Sequence, residues 1–217
     1  MRQGDLLWND PRPRWSDPNE LGRGPLPPEH GEWVGIEDRG GEIYLIANGG
    51  GIAQTGSLDV SSASSVGGQV SIVSDADILI GAGSTISAEG VDGGEVRAIA
   101  TNSLTYEQGA NIGVADRGQG RGGFVELSGH GDIRIRDTVS LGNGGRLFID
   151  PTDFVIGNDS DPNVSMTYST LLSQLSSGSG PVFVDLAADH AVIFRDFSDG
   201  YGGNLFSPFA FYGGSLT

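Results

Sequence analysis

The sequence has no cysteine. It has no lysine either, and its 12 basic residues other than histidine are all arginine. The absence of cysteine excludes disulfides, thiolate metal sites and cysteine nucleophiles, and the absence of lysine excludes a lysine that acts as Schiff base or general base. No apolar run approaches the roughly 20 residues that a membrane-spanning helix needs. We therefore expect a chain that does not span a membrane and that lacks several of the commonest catalytic groups.

Positive charge and histidine are also scarce. The 12 arginines are outnumbered by 28 acidic residues, which gives a formal net charge of −16. A protein that binds nucleic acid needs a basic surface to neutralise the phosphates, so we expect no nucleic-acid partner. The three histidines, His30, His130 and His190, lie far apart in the sequence and outside any zinc-binding motif. We expect neither a zinc site nor a Ser-His-Asp triad.

Glycine is in excess, with 37 of the 217 residues against about 7% in an average protein. It recurs as Gly-Gly pairs at positions 40–41, 67–68, 93–94, 122–123 and 144–145. The residues two and four positions after each pair are always apolar, and the residues between them are mostly polar. This period of two is typical of strands with one buried face. It predicts a structural core of Ile43, Leu45, Val70, Ile72, Val96, Ala98, Val125, Leu127, Leu147 and Ile149.

The two middle repeats extend this pattern beyond their first strand. After Gly68 and after Gly94, apolar residues recur at the same six offsets, so each repeat of about 26 residues holds three short strands. Such strands cannot stand alone, but identical repeats can stack on one another. The sequence therefore predicts an all-β fold, a parallel β-helix with three short strands per coil. An antiparallel sandwich is the less favoured alternative, because Asn-Gly hairpin turns are scarce.

The pattern also predicts three regions along the chain. Residues 1–35 hold six of the ten prolines and form an irregular extended arm, residues 36–157 form the regular coils, and residues 158–217 form a less regular continuation. We expect the last region to be cut from a longer solenoid. It contains one short helix, over residues 169–176, with Leu171, Leu172 and Leu175 on one face. The arm supplies candidate assembly contacts at Trp8, Trp15 and Trp33.

Three segments of the sequence, in this order, carry a resemblance: GGFVELSG (122–129), GGRLFIDPTD (144–153) and STLLSQLSSG (169–178). They resemble the filamentous-haemagglutinin-like exoproteins that Gram-negative bacteria export by two-partner secretion. The resemblance implies that the parallel β-helix is right-handed. It also implies an extracellular or cell-surface protein, exported through an outer-membrane transporter, with the adhesive role typical of that family.

From these observations we expect a non-enzymatic adhesin or a filament-forming structural module. It would act by self-association, or by binding a glycan or protein on a host or neighbouring cell. Outward aromatic and arginine positions are the candidate glycan contacts: Tyr44, Arg97, Phe124 and Arg146. A polysaccharide-active enzyme of the same fold is one alternative, and it would need acidic residues that converge on one face. A spacer segment of a secreted toxin-delivery protein is the other.

One loop is a candidate for calcium, the only cofactor that the sequence suggests. Asp159, Asp161 and Asn163 place oxygen-bearing side chains at alternate positions, as hard cations prefer. A solvated loop without metal is the simpler interpretation, because the loop lacks the glycine and distal glutamate of an EF-hand. We expect the other acidic residues at turns to accept hydrogen bonds from the backbone of their own turns.

Overall fold

The computed structural model describes residues 40–177 and 180–195, together with the backbone of a short strand at Gly214–Leu216. The chain divides into two units, Met1–Glu37 and Asp38–Thr217. All described residues belong to the second unit. The predicted amino-terminal arm lies outside the described residues, so its role stays a prediction.

The described part of the chain consists mostly of short strands, with one helix. The strands are β1 (Glu42–Ala47), β2 (Ile52–Gln54), β3 (Ser57–Asp59), β4 (Gln69–Ser74), β5 (Ile78–Ile80), β6 (Thr85–Ser87), β7 (Glu95–Ala100), β8 (Ser103–Tyr106), β9 (Asn111–Gly113), β10 (Phe124–Gly129), β11 (Asp132–Ile135), β12 (Arg146–Pro151), β13 (Asp153–Gly157), β14 (Met166–Thr167), β15 (Val182–Leu186), β16 (Ala191–Phe194) and β17 (Gly214–Leu216). The helix, α1, spans Tyr168–Ser176 and lies where the sequence predicts it. The predicted all-β class with one short helix agrees with this part of the chain.

These strands form three sheets in which neighbouring strands are parallel. The first sheet has the order β1-β4-β7-β10-β12-β15-β17, the second β16-β13-β14-β11-β8-β5-β2, and the third β3-β6-β9. From β1 to β9, successive strands belong to the first, second and third sheets in turn. A strand therefore pairs with the strand that occupies the same place in the next repeat, as when Val70 pairs with Val96.

The residue pairing follows the Gly-Gly repeats. Ile43 pairs with Val70, Val96 pairs with Val125, and Val125 pairs with Leu147. Each of these paired residues lies two positions after a Gly-Gly pair. A strand with one buried face resists slippage, because a shift by one residue would turn its apolar side chains to solvent. The spacing of the glycine pairs in the sequence therefore matches the register of the first sheet.

The predicted core residues differ in burial according to their place in the stack. Eight of the ten are fully buried: Val70, Ile72, Val96, Ala98, Val125, Leu127, Leu147 and Ile149. Ile43 and Leu45 are half-buried and pack against the same cluster. Both belong to β1, the outermost described strand of the first sheet, so a described strand covers them on one side only. Tyr106, an inward residue of the second sheet, is buried. Its hydroxyl lies 2.9 and 3.0 Å from the carbonyl oxygens of Ala110 and Thr138, which share its single proton.

Helix α1 begins at a capping threonine. The Oγ1 atom of Thr167 accepts a hydrogen bond from the Thr170 backbone amide at 3.2 Å, which satisfies a free amide of the first turn. Leu171 and Leu175 are buried as predicted, but Leu172 is 46% exposed. The prediction for Leu172 is wrong because residues four apart share a helix face, whereas the next residue is turned by about 100°.

Helix α1 also ends the pairing of the third sheet. After β9, that sheet continues only as a single bridge between Gly113 and Ser140. The backbone amide and carbonyl of the neighbouring Val139 are paired instead with the side-chain amide of Gln174, at 2.7 and 3.1 Å. Gln174 is buried, and its carboxamide supplies the acceptor and the donor that a further strand would provide. From the fourth Gly-Gly repeat onward, the described strands belong to the first and second sheets only, so the predicted third strand of each repeat does not extend the third sheet.

Candidate functional site

A shallow trough lies beside the Gly-Gly pairs, on the outward side of the first sheet. Its volume is about 350 Å³. Glycines from four successive pairs line it, together with the side chains of Val66, Gln69, Glu95, Phe124 and Arg146. We call this feature the glycine trough. It exists because side chains are missing along one corner of four consecutive repeats.

The glycines of the trough are required by close backbone contacts. A Cβ atom on Gly67 would lie 1.9 Å from the carbonyl oxygen of Ala88, and one on Gly93 would lie 1.9 Å from that of Val114. A Cβ on Gly94 would lie 2.1 Å from the carbonyl oxygen of Gly68. All three contacts are far shorter than non-bonded atoms allow. The repeated glycines therefore let neighbouring repeats approach closely, and the trough follows from that approach.

Four polar or aromatic side chains along the trough occupy one register row. Gln69 pairs with Glu95, Glu95 pairs with Phe124, and Phe124 pairs with Arg146. Strands of a sheet lie about 4.8 Å apart, so these side chains follow one another at that spacing. Along the stacking direction, the trough thus presents an amide, a carboxylate, an aromatic ring and a guanidinium group, in that order.

A second outward row lies beside the first and is centred on Arg97. Its guanidinium group forms ion pairs with Glu95 and with Glu126, the latter at 2.8 Å. The carbon atom of the guanidinium group lies 5.2 Å from the centre of the Phe124 ring, within range of a cation–π interaction. The pKa of Arg97 is raised, mainly by its hydrogen bond to Glu95, and burial partly offsets this increase. Arg97 is therefore held in place as a positive charge between two carboxylates.

Arg146, at the end of the first row, is also paired with a carboxylate. Its Nε atom donates a hydrogen bond to Asp185 Oδ2 at 3.0 Å, and its Nη2 atom forms an ion pair with the same oxygen. The remaining predicted glycan contact, Tyr44, donates from its hydroxyl to Glu42 at 3.1 Å. The structure therefore places Tyr44, Arg97, Phe124 and Arg146 on the outward face of the first sheet.

Several residues that shape this face could not be identified from the sequence. Glu126 and Asp185, which neutralise the two arginines, were not singled out because their partners lie 29 and 39 residues away. Phe148 belongs to the same outward row as Arg97 and is half-buried. The signal that could have identified Phe148 is its place midway between two inward residues, Leu147 and Ile149.

Acidic residues at the corners of the coils connect neighbouring repeats. Asp75 accepts hydrogen bonds from the backbone amides of Gly49 and Gly50, 26 and 25 residues earlier. Five more carboxylates accept a backbone amide from an adjacent repeat in the same way: Asp77, Asp92, Glu107, Asp116 and Asp137. The expectation of capping within a carboxylate's own turn is therefore wrong for these residues, although it is right for Asp59, which accepts from Ser61. Stacking brings the next repeat within reach.

Lowered carboxylate pKa values predict a loss of stability in acid. Hydrogen bonds from the hydroxyl and amide of Ser103 lower the pKa of Asp77, and those from Ser61 lower the pKa of Asp59. A lowered pKa in the folded state means that the stabilisation is present above the usual value near 4 and is lost as the pH falls through the folded-state pKa. We therefore expect the thermal unfolding midpoint to fall as the pH is lowered below about 4.

Two variants test the part of this pH dependence that Asp77 carries. Asp77→Asn removes the charge, and Ser103→Ala removes the hydroxyl donor at 2.7 Å. Each should lower the unfolding midpoint at pH 7 and make its decline in acid shallower than in the wild type. Unchanged curves for both variants would contradict the role of this contact.

In the candidate calcium loop, the carboxylates of Asp159 and Asp161 already have protein partners. Asp159 accepts a hydrogen bond from the Ser169 hydroxyl at 2.8 Å, an interaction that lowers the pKa of Asp159. Asp161 accepts from the amide of Asn163 at 2.8 Å and lies 4.0 Å from the Arg195 guanidinium group. Within residues 40–177 and 180–195, no group of three or more acidic or histidine residues could hold a metal ion. Calcium binding here stays a prediction.

The loop is anchored by an arginine from the fourth repeat. The Arg136 guanidinium group donates hydrogen bonds to the carbonyls of Pro162, Val164 and Ser165, at 3.3, 2.9 and 3.2 Å. Burial is the main cause that lowers the pKa of Arg136. This contact fixes the segment that leads into β14, which is inserted between β11 and β13 in the second sheet.

The predicted assembly contacts belong to the amino-terminal arm. Trp8, Trp15 and Trp33 lie outside the described residues, so their role in assembly stays a prediction. Of the helices that the structure describes, none has the length and apolarity to cross a membrane.

Comparison with known proteins identifies no relative. No protein-family model matches the chain, and no curated protein or solved structure matches it either. The case for a function therefore rests on the residues and their geometry.

Proposed function

We propose that this chain is part of a right-handed parallel β-helix with coils of about 26 residues, and that it acts as a secreted adhesin or extracellular structural module. The observation that carries the proposal is the register of the first sheet. Five successive strands, β1, β4, β7, β10 and β12, pair residue for residue at the positions that the Gly-Gly repeats define. Repeats that stack in this way build a rigid scaffold.

The proposed mechanism is passive. Buried apolar rows hold the coils together, and the acidic exterior keeps the protein soluble through its net charge of −16. The outward face of the first sheet is the proposed contact surface for a glycan or protein of another cell. The resemblance to filamentous-haemagglutinin-like exoproteins supports an extracellular or cell-surface location and export through an outer-membrane transporter.

Self-association is a second part of this proposal. Strands at the end of a sheet have backbone groups that can pair with another chain, and the sheets of a β-helix are open at both ends of the stack. Negative-stain electron microscopy over a range of protein concentrations tests this part. Fibres that lengthen with concentration are expected, and short single particles at every concentration would contradict self-association.

A parallel assay separates adhesion from enzymatic action on polysaccharides. Immobilised protein should retain cells or cell-wall polysaccharide without shortening the polysaccharide chains, as size-exclusion chromatography of the recovered polysaccharide would show. Chain shortening that disappears in Glu126→Gln would overturn the passive mechanism, because a carboxylate on this face would then act as a general acid or base. Absence of any retention by the immobilised protein would contradict the adhesive role.

A further inference from the structure

The glycine trough has features that select one class of ligand. Its walls combine the Phe124 ring and the Val66 side chain with the hydrogen-bonding groups of Gln69, Glu95 and Arg146. An aromatic ring can stack on the C–H face of a sugar, while neighbouring amide, carboxylate and guanidinium groups can bind adjacent hydroxyls. We infer that the trough binds an extended, uncharged oligosaccharide. This inference rests on the proposed function and names the class of ligand.

The charges of the site argue against an anionic ligand. Both arginines of the face are already paired with carboxylates, Arg97 with Glu95 and Glu126, and Arg146 with Asp185. An anionic glycan would have to displace these carboxylates and approach a protein of net charge −16. A neutral sugar needs no such displacement, since its hydroxyls can donate to the carboxylates and accept from the guanidinium groups.

The position of the trough argues against an extended peptide. Peptides commonly join a sheet by pairing with the backbone of an edge strand. The strands below the trough, β4, β7, β10 and β12, each have a paired neighbour on both sides. The backbone groups of these strands are therefore engaged within the sheet. The amides of the glycine pairs that line the trough are bonded as well, as when Gly68 donates to Val60 and Gly94 donates to Ala88.

The dimensions of the row indicate an oligosaccharide and not a single sugar. Gln69 and Arg146 lie three strand spacings apart in the same row, which corresponds to roughly 14 Å. A ligand that contacts both ends must therefore extend along the stacking direction. Phe124 lies between these ends, next to Arg146. The Arg97 guanidinium group lies over one face of its ring, so the opposite face is the stacking surface for the sugar.

An array of neutral and anionic oligosaccharides tests the inference on the full 217-residue chain. The strongest neutral hexasaccharide is then titrated against the wild type and its variants by calorimetry. We expect Phe124→Ala and Arg146→Ala each to weaken binding by about tenfold or more, because a few aromatic and arginine side chains usually supply most of the binding energy of a site. Arg134→Ala is the matched control, because Arg134 lies on the second sheet and its exposed side chain is likewise paired with a carboxylate, that of Asp132.

The outcomes separate this inference from the proposed function. Preferential binding of neutral glycans, with Arg134→Ala within about twofold of the wild type, supports the inference. An array on which no neutral glycan binds, or on which anionic glycans bind best, overturns it. Equal losses for Arg146→Ala and Arg134→Ala also overturn it, because they would show a general effect of charge. Cell retention by the immobilised protein would still uphold the adhesive role in each of these cases.

Discussion

Gly94→Ala should destabilise the protein severely, by about 3 kcal/mol or more, which is the upper range for overpacking in a rigid environment. The new Cβ would lie 2.1 Å from the carbonyl oxygen of Gly68 and 2.8 Å from that of Ala88. Both obstacles are backbone atoms, Gly68 just before β4 and Ala88 just after β6, so no side-chain rotation can relieve the clash. The methyl group must either separate two repeats or break their hydrogen bonds. Chemical denaturation followed by circular dichroism would measure the loss.

Gly118→Ala is the matched control for this prediction. Nothing lies within 4 Å of the position that a Cβ would take on Gly118, and the residue has no positive φ. The same chemical change should therefore shift stability by less than about 0.5 kcal/mol. Similar unfolding midpoints for Gly94→Ala and the wild type would show that the close stacking of the glycine corners is wrong.

Ile72→Ala should cost about 2–5 kcal/mol of unfolding free energy, the usual range for removing a large aliphatic side chain from a core. Ile72 is fully buried, and in its register row it lies between Leu45 and Ala98. With Ala98 already small, the neighbours on that side have little side chain with which to fill the cavity. Chemical denaturation would give the difference in unfolding free energy.

Ile46→Ala provides the comparison for the core prediction. Ile46 lies on β1, beside β4, but points outward and is 56% exposed. The same truncation there should change stability by less than about 0.5 kcal/mol. Comparable losses at Ile72 and Ile46 would contradict the assignment of inward and outward faces.

The inward residues could be predicted because two independent signals in the sequence agree. The period-two pattern marks the buried face of each strand, and the Gly-Gly pairs mark where the pattern restarts. Val70 and Val96 occupy the same position in their repeats, and the structure pairs them. Similarly, the run of leucines between Thr167 and Ser177 was sufficient to place helix α1.

Contacts between repeats were much harder to predict. Gln174 reaches Val139, 35 residues earlier, and nothing in the local sequence of either residue indicates that pairing. The carboxylates of Asp75 and Asp116 likewise act on backbone amides of adjacent repeats. A sequence pattern shows which residues face inward, but it does not show how far the corners of two coils are offset. Those contacts are therefore set by the folded stack and not by the local sequence.

The acidic composition takes on a structural meaning from these contacts. From the sequence alone, the excess of acidic residues indicates only that the protein is soluble and has no nucleic-acid partner. In the structure, carboxylates at the corners satisfy backbone amides that the parallel strands leave unpaired. Part of the negative charge is therefore built into the stacking of the coils, which is consistent with the acid sensitivity predicted above.

Formation of one engineered disulfide tests the stacking of the coils most directly. The hydroxyl oxygens of Ser61 and Ser87, 26 residues apart in sequence, lie 2.7 Å from each other, and the chain has no native cysteine. The double variant Ser61→Cys, Ser87→Cys should therefore oxidise readily to an intramolecular disulfide, visible by mass spectrometry and by a mobility shift without reductant. The pair Ser71→Cys, Ser87→Cys, which places the thiols on the first and third sheets, should stay reduced under the same conditions. Failure of the first pair to cross-link, or equal cross-linking of both pairs, would contradict the stacked coils on which the proposed function depends.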